Sequence, residues 1–253
     1  MIVMPFRRVA LTVGCIAFCL ALTNTVAAQN MSSEAILEQL KTRAANLDDA
    51  TFLMRGVFTD PISGESTNIE MEFQLITAHN LLRSYFIEPA ALLDNFIIVD
   101  GENETVYNYL FTTNQVTIFS LRDPDAFGGL FPNDLGGLSD ELEDELESSQ
   151  TLNLSLDPDR LFASWELQVQ GYRNSEAGSL YDLRFDNLDD SVDLSHVNAS
   201  VFDERWTPER LEFVNRDGDI LGYAHFSQVR LDQGLDPEEL RFIPFDAELI
   251  DER

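Results

Sequence analysis

The side chains best suited to chemistry are three histidines, His79, His196 and His225, in a chain with 45 acidic residues. Acid–base or nucleophilic catalysis needs a histidine held within hydrogen-bonding reach of its partner. The histidines are far apart in the sequence, and it contains no Gly-x-Ser-x-Gly or His-Glu-x-x-His motif. Carboxylate pairs like those of glycosidases are so numerous that no spacing singles one out. We therefore predict that the protein is not an enzyme and uses no cofactor.

Acidic residues also offer oxygen ligands for calcium, and Asp217-Gly218-Asp219 resembles part of a calcium-binding loop. The twelfth position of that loop, counted from Asn215, is Phe226, whereas calcium requires a glutamate there. The acidic run 139–146 lacks the glycine turn of such a loop. We predict no metal site.

The N-terminus has the pattern of a secretory signal peptide. Arg7 and Arg8 precede an uncharged apolar run, residues 9–22, and Val26-Ala27-Ala28 provides small residues for cleavage. A membrane anchor is disfavoured because this run is shorter than the roughly 20 residues that span a bilayer. We expect cleavage after residue 28 and export to the periplasm. The only cysteines, Cys15 and Cys19, would be removed with the signal.

The remaining segment, residues 29–253, is predicted to be a single domain and is strongly acidic. Loss of Arg7 and Arg8 moves the formal charge from -29 by two further units to -31. Nucleic acids and anionic membrane surfaces are disfavoured as targets, because contacts to phosphate require Lys and Arg. The acids are spread along the chain, which indicates a solvated surface, and we expect a monomer.

One amphipathic helix opens this domain. Apolar residues recur at helical spacing over residues 34–47, with Ser33 as the expected N-cap. The helical face consists of Ile36, Leu37, Leu40, Ala44 and Leu47. A short second helix is predicted to start at Asp157-Pro158.

Strands dominate the rest of the chain, because the apolar residues change to a period of two. Turn signals such as Asp60-Pro61 and Asp100-Gly101 predict antiparallel neighbours. The predicted strands cover residues 53–59, 68–75, 81–87, 95–99, 105–111, 115–121, 165–171, 179–185, 197–204, 210–215 and 220–231. A turn at Asp236-Pro237 leads into a last segment, residues 240–245. Residues 123–150 are predicted to be a flexible Gly-rich and acidic insertion.

The simplest architecture that covers the apolar faces of these strands and helices is mainly β with some α. It is an incomplete antiparallel β-barrel, or curved sheet, lidded by a few helices on its concave side. The concave face would either be filled by its own side chains or leave room for an apolar guest. The residues predicted to line it, and to bind lipid if it is vacant, are Met71, Phe73, Leu82, Phe96, Ile98, Tyr107, Trp165, Leu183, Phe185, Phe213 and Tyr223.

Five sequence features occur in a characteristic order along the chain. They are the helix from Glu34 to Leu47, Asn80-Leu81-Leu82-Arg83 followed by Pro89, Ile97-Ile98-Val99-Asp100-Gly101, Tyr107-Asn108, and the ending Asp236 to Leu240 with Phe242 and Pro244. In this order the chain resembles the LolA family of periplasmic outer-membrane lipoprotein carriers and its lipid-binding relatives. The resemblance covers nearly the whole domain.

The resemblance implies a carrier that hides the acyl chains of lipoproteins, or other lipids, in a hydrophobic cavity and shuttles them from the inner to the outer membrane. Its implied partners are an inner-membrane donor complex and an outer-membrane acceptor. Two alternatives stay open: a lipid or lipoprotein sensor that regulates envelope stress, and a structural β-protein with a packed interior.

The chain departs from the family pattern at one functional position. Where the family often carries Arg-Pro, with an arginine thought to gate the lid, this chain has Ala78-His79, and only Arg83 matches the second arginine of the motif. Arginine-controlled release is therefore not predicted for this protein.

Overall fold

The computed structural model describes residues 31–59, 64–121, 162–189 and 193–253. The predicted signal peptide, the Asp60-Pro61 turn, the insertion 123–150 and the start of the helix at Asp157 lie outside these ranges. None of the helices in the described ranges is long and apolar enough to cross a membrane.

The predicted N-terminal helix is present as α1 (Ser33–Ala45). Its N-cap is Ser32 rather than the expected Ser33: the Ser32 hydroxyl accepts a hydrogen bond from the Ala35 amide at 3.3 Å. The helix ends two residues earlier than predicted, yet Leu47 is still buried. The apolar stripe of the helix therefore continues into the turn before β1.

Twelve strands form one sheet in the described residues. They are β1 (Asp49–Thr59), β2 (Ser66–Ile76), β3 (Leu81–Glu88), β4 (Phe96–Asp100), β5 (Thr105–Leu110), β6 (Gln115–Ser120), β7 (Trp165–Ser175), β8 (Gly178–Asn187), β9 (Leu194–Phe202), β10 (Pro208–Asn215), β11 (Ile220–Leu231) and β12 (Glu248–Asp251). Their spatial order is β12-β6-β5-β4-β3-β2-β1-β11-β10-β9-β8-β7.

The sheet is antiparallel except at one end. Within β1 to β6, and again within β7 to β11, strands that are neighbours along the chain pair with each other, and the two halves join where β1 pairs with β11. Of the described strands, only β12 pairs in parallel, with β6. The sheet is curved and does not close, so the predicted incomplete barrel is confirmed.

Both faces of the sheet carry apolar clusters. We call the face that α1 covers the inner face and the opposite one the outer face. Successive residues point to opposite faces: Leu75 belongs to the inner cluster, whereas its neighbour Ile76 belongs to the outer one. The inner cluster spans α1 and β1 to β11, and the outer cluster is confined to β2 to β6 and the segment that covers them.

That covering segment, residues 235–251, is here called the strap. Asp236-Pro237 was predicted to be a turn and instead begins a short helix, α2 (Pro237–Leu240), with Asp236 accepting from the Glu238 amide at 2.9 Å. Unlike α1, this helix lies on the outer face, where Leu240 is buried. The strap then continues into β12, a strand that the sequence pattern did not predict.

Candidate functional site

The inner face is the candidate site, because it is the largest continuous apolar surface in the described residues. Buried apolar side chains come from α1 and from each strand from β1 to β11. From α1, Ile36 and Leu40 are completely buried. A surface so long and apolar suits hydrocarbon chains.

Aromatic rings connect neighbouring strands across this face. Phe52 of β1 stacks on Phe73 of β2 at 5.0 Å between ring centroids and meets Phe226 of β11 edge-on at 5.9 Å. Farther along β1, Phe58 approaches Phe213 of β10 to 6.0 Å between ring centroids. These contacts run across the junction between the two halves of the sheet.

Two glycines make room for Phe58 at this junction. A Cβ added to Gly222 would lie 2.6 Å from both the Phe58 ring and the Val57 carbonyl oxygen. A Cβ added to Gly56 would lie 2.7 Å from the Tyr223 carbonyl oxygen. The ring therefore lies directly over the backbone, which only glycine permits here.

The two tryptophans of the chain lie near opposite ends of β8. Trp165 begins β7 and lies opposite Asn187, at the end of β8. Trp206 follows β9 and stacks on Tyr181, near the start of β8, at 5.5 Å. Burial raises the pKa of Tyr181 to about 12, in keeping with its apolar surroundings.

The structure brings together seven of the eleven residues predicted to line the cavity. The inner cluster or its margin contains Met71, Phe73, Leu82, Trp165, Leu183, Phe185 and Phe213.

The other four predicted lining residues lie elsewhere. Phe96, Ile98 and Tyr107 belong to the outer cluster beneath the strap. Tyr223 belongs to neither cluster and contacts Arg210 at 5.4 Å and His225 at 5.7 Å. The physical reason is plain in β4, whose five residues are all buried, so no polar alternation distinguishes its two faces. Ile97 and Val99, and not their neighbours, point inward.

Several inner-face residues were not predicted as lining residues. They are Phe52, Phe58, Val106, Phe119, Tyr181, Leu211 and Phe226, together with Ile97 and Val99. The alternation within β1 and β11 contained the signal for Phe58 and Phe226, since each shares a face with alternate apolar neighbours.

Arg83, a position from the family motif, serves the strap rather than the inner face. Arg83 is 3% exposed, and its guanidinium donates to the carbonyl oxygens of Leu240 at 3.0 Å and Phe242 at 2.6 Å. It also lies over the rings of Tyr85 and Phe96 at 4.5 and 4.0 Å. Burial lowers the pKa of Arg83.

The Asp100-Gly101 position fastens the strap at a second point. The Asp100 carboxylate accepts hydrogen bonds from Arg241 Nε at 2.8 Å and Asn103 Nδ2 at 2.7 Å. Burial alone would raise the pKa of Asp100, but these hydrogen bonds outweigh it, and the pKa is lowered. A side chain on Gly101 would collide with that of Asn80, 1.9 Å away.

The remaining motif positions lie in β5 and directly after β3. Asn108 is buried in β5, next to Tyr107. Pro89 borders an open surface cleft of about 450 Å³ between the ends of β2 and β3. The cleft is lined by Ser66, Thr67, Asn68, Ile87, Glu88, Pro89, Ala90 and Leu93.

The histidines do not form a catalytic group. His79, in the turn before β3, lies with its Nδ1 2.9 Å from the Glu102 carboxylate in the turn after β4. His196 is on β9, where burial lowers its pKa, and His225 is exposed on β11. Within the described ranges, no three His, Cys, Asp or Glu side chains are placed to hold a metal ion.

Comparison with known proteins adds a likeness of fold. No family model and no curated protein matches the chain. An uncharacterized conserved protein from Thermus thermophilus is 16% identical, with a TM-score of 0.52 over 81% of this chain and 91% of that one. The lipoprotein LppX of Mycobacterium tuberculosis is 13% identical, with a TM-score of 0.45 over 81% and 99% of the two chains.

A LolA superfamily protein from Nitrosomonas europaea also matches, at 13% identity and a TM-score of 0.35 over 83% of this chain and 97% of that one. At such identities a likeness concerns the fold alone. The fold that the chain shares with the Thermus thermophilus protein is, in this chain, a curved, unclosed sheet with a helix on its inner face.

Proposed function

We propose that the protein is a periplasmic carrier that holds the acyl chains of lipoproteins on its inner face and shuttles them from the inner to the outer membrane. The observation that supports this proposal is the continuity of apolar side chains across eleven strands of an unclosed sheet. A donor at the inner membrane and an acceptor at the outer membrane belong to the same proposal, because they follow from the family resemblance.

The energetics of acyl chains favour such a carrier. Each methylene that leaves water contributes about 0.8 kcal/mol, so a lipoprotein with several acyl chains does not cross an aqueous compartment unaided. Its carrier must offer an apolar surface of comparable length. Of the surfaces in the described residues, only the inner face has that length.

The helix that covers the inner face, α1, buries few side chains, and this supports reversible binding. The buried side chains of α1 are only Ile36, Leu40 and Ala44. Among the described strands, β12 and β7 stand at opposite ends of the sheet and are not paired with each other. The space over the inner face can therefore widen without breaking hydrogen bonds between strands. We infer that α1 moves aside when an acyl chain enters.

A second candidate function is that of a structural β-protein whose interior is filled by its own side chains. The observation that favours it is the nearly complete burial of the inner-face residues, with rings such as Phe52 and Phe73 already in contact. The two proposals differ in one measurable respect: only the carrier accepts hydrocarbon on this face.

Quenching of tryptophan fluorescence by dibrominated stearic acid distinguishes them. Both tryptophans lie on the inner face, so quenching requires bromine atoms within contact distance of that face. We expect saturable quenching that salt does not weaken, with unbrominated stearic acid as the control. Single Trp165→Phe and Trp206→Phe variants then show which end of β8 the bromines approach. If a triacylated peptide displaces the dibrominated stearic acid, the result supports lipoproteins as the cargo.

A matched pair of variants tests which face binds. Phe73 and Phe96 are similarly buried, at 3% and 4% exposure, but lie on opposite faces. Phe73→Leu should weaken stearic acid binding roughly fivefold, a loss of about 1 kcal/mol of apolar contact, while Phe96→Leu leaves it unchanged. No quenching in the wild-type protein, or equal effects of the two changes, contradicts the carrier proposal.

A further inference from the structure

Large apolar side chains are exposed on and beside the strap. The described residues expose seven such side chains: Leu93, Phe111, Leu188, Ile220, Phe242, Phe245 and Leu249. Three of them belong to the strap, and Phe245 is 97% exposed. Phe111 begins the turn that is bonded to the strap, since Asn114 Nδ2 donates to the Asp246 carbonyl oxygen at 3.0 Å.

Strand register places two of these side chains on the outer face. Leu249 lies opposite Val116 of β6, and paired residues point to the same face. Val116 and Tyr109 both belong to the outer cluster, and Phe111 follows Tyr109 by two residues. We call Phe111, Phe242, Phe245 and Leu249 the strap patch.

The strand next to this patch has a free edge among the described strands. β12 is the end strand of the sheet. The amides of Glu248 and Glu252 donate to Asn114 and Ile118, both at 2.9 Å, on the β6 side. Amide direction alternates along a strand, so the amides of Leu249 and Asp251 point away from β6. Such an edge can accept another strand.

The charge around the patch selects the partner. Residues 235–253 contain seven acids and two arginines, and both arginines are bonded to carboxylates. The acids are Asp236, Glu238, Glu239, Asp246, Glu248, Asp251 and Glu252. A second copy of this acidic chain and an anionic bilayer would both be repelled, whereas a basic segment would be attracted.

We propose that β12 and the strap patch bind a basic, extended protein segment that adds to the sheet as a strand beside β12. Its alternate apolar side chains would contact Leu249 and Phe245, and its lysines or arginines, on the other face of the added strand, would face Glu248 and Glu252. Main-chain hydrogen bonds to the free edge supply affinity, and the patch supplies specificity. This interaction surface is on the opposite face from the proposed lipid site and does not depend on lipid binding.

The test uses the full chain and a short synthetic peptide of alternating lysine and leucine, labelled for fluorescence anisotropy. We expect saturable binding that weakens as salt is raised. The double variant Phe245→Ser/Leu249→Ser should weaken binding at least about tenfold, because it removes the central apolar contacts. The matched control is Leu188→Ser/Ile220→Ser, which removes two exposed apolar side chains outside the patch and should leave binding unchanged.

Two further measurements separate strand addition from simple charge attraction. A peptide of alternating glutamate and leucine should not bind, and methylation of the backbone nitrogens on one edge of the basic peptide should abolish binding. Hydrogen exchange should show new protection at the amides of Leu249 and Asp251. Absence of binding, equal binding to the double variant, or binding that tolerates backbone methylation would overturn the proposal.

Discussion

Replacing Arg83 by methionine should release the strap from the outer face. Arg83 is buried and donates to the carbonyl oxygens of Leu240 and Phe242, and its guanidinium lies against the ring of Phe96. Methionine retains most of the apolar volume and removes the charge and its donors. The change therefore tests the polar contacts with little loss of packing.

The expected cost follows from these contacts. A hydrogen bond from a charged donor contributes about 1.5–3 kcal/mol, and Arg83 makes two short ones, at 3.0 and 2.6 Å. A desolvated cation over an aromatic ring adds about 2 kcal/mol. Relief of the desolvation of the guanidinium opposes these losses by several kcal/mol. We expect the free energy of unfolding to fall by about 2–4 kcal/mol.

Urea denaturation measures that loss, and hydrogen exchange locates it. Amides of residues 235–251 should exchange faster in Arg83→Met, while those of β8 and β9 remain protected. Arg210→Met is the matched control, because Arg210 also lies over a ring and pairs with an acid but is 43% exposed. Its cost should stay below about 1 kcal/mol.

Equal stability losses in the two variants would refute this account of Arg83. So would unchanged amide protection in the strap of Arg83→Met, since the proposed contacts join that segment to β3. Stearic acid binding is expected to persist in this variant, because Arg83 lies on the outer face.

Two other predictions concern the inner face and the strap. Gly222→Ala should lower the free energy of unfolding by about 1–3 kcal/mol, because the new Cβ would lie 2.6 Å from the Phe58 ring. Thermal denaturation measures this loss of stability, and an unchanged Tm would contradict the close packing of Phe58 on Gly222. The pKa of Asp100 is lower in the folded state than in the unfolded state, so the ionised carboxylate stabilises the fold. This stabilisation is fully present above the unfolded-state pKa of about 4, and it is lost as the pH falls through the folded-state pKa. Asp100→Asn should therefore reduce the slope of unfolding free energy against pH in that range, and an unaltered slope in urea titrations would show that the bond with Arg241 contributes nothing.

The strands and α1 could be predicted because their signals are local. In β2, buried and partly exposed residues alternate from Ile69 to Leu75 as the sequence indicates. The helical spacing of Ile36, Leu40 and Ala44 likewise predicts the buried side of α1. Both patterns depend only on residues that are near one another in the chain.

The candidate site was predicted only in part, because the choice of face is not local. Phe73 and Phe96 belong to similar apolar strands, yet one lies under α1 and the other under the strap. The strap itself escaped prediction. The parallel pairing of Leu249 with Val116 joins residues far apart in the chain, and a four-residue strand carries too little alternation to be recognised.

The sequence by itself determined that a first helix is followed mainly by strands, with most boundaries within a few residues of those observed, and that the protein is acidic. It could do so because hydrophobic period and charge are properties of residues that are near one another in the chain. Only the tertiary structure decided that Arg83 and Asp100 hold the strap, that Phe58 lies over two glycines, and that eleven strands share one apolar inner face. Those outcomes depend on the pairing of β1 with β11 and on the path of the strap, which bring together residues that are more than 150 positions apart. Long-range pairings of this kind depend on how whole faces pack together, and no local pattern in the chain records them.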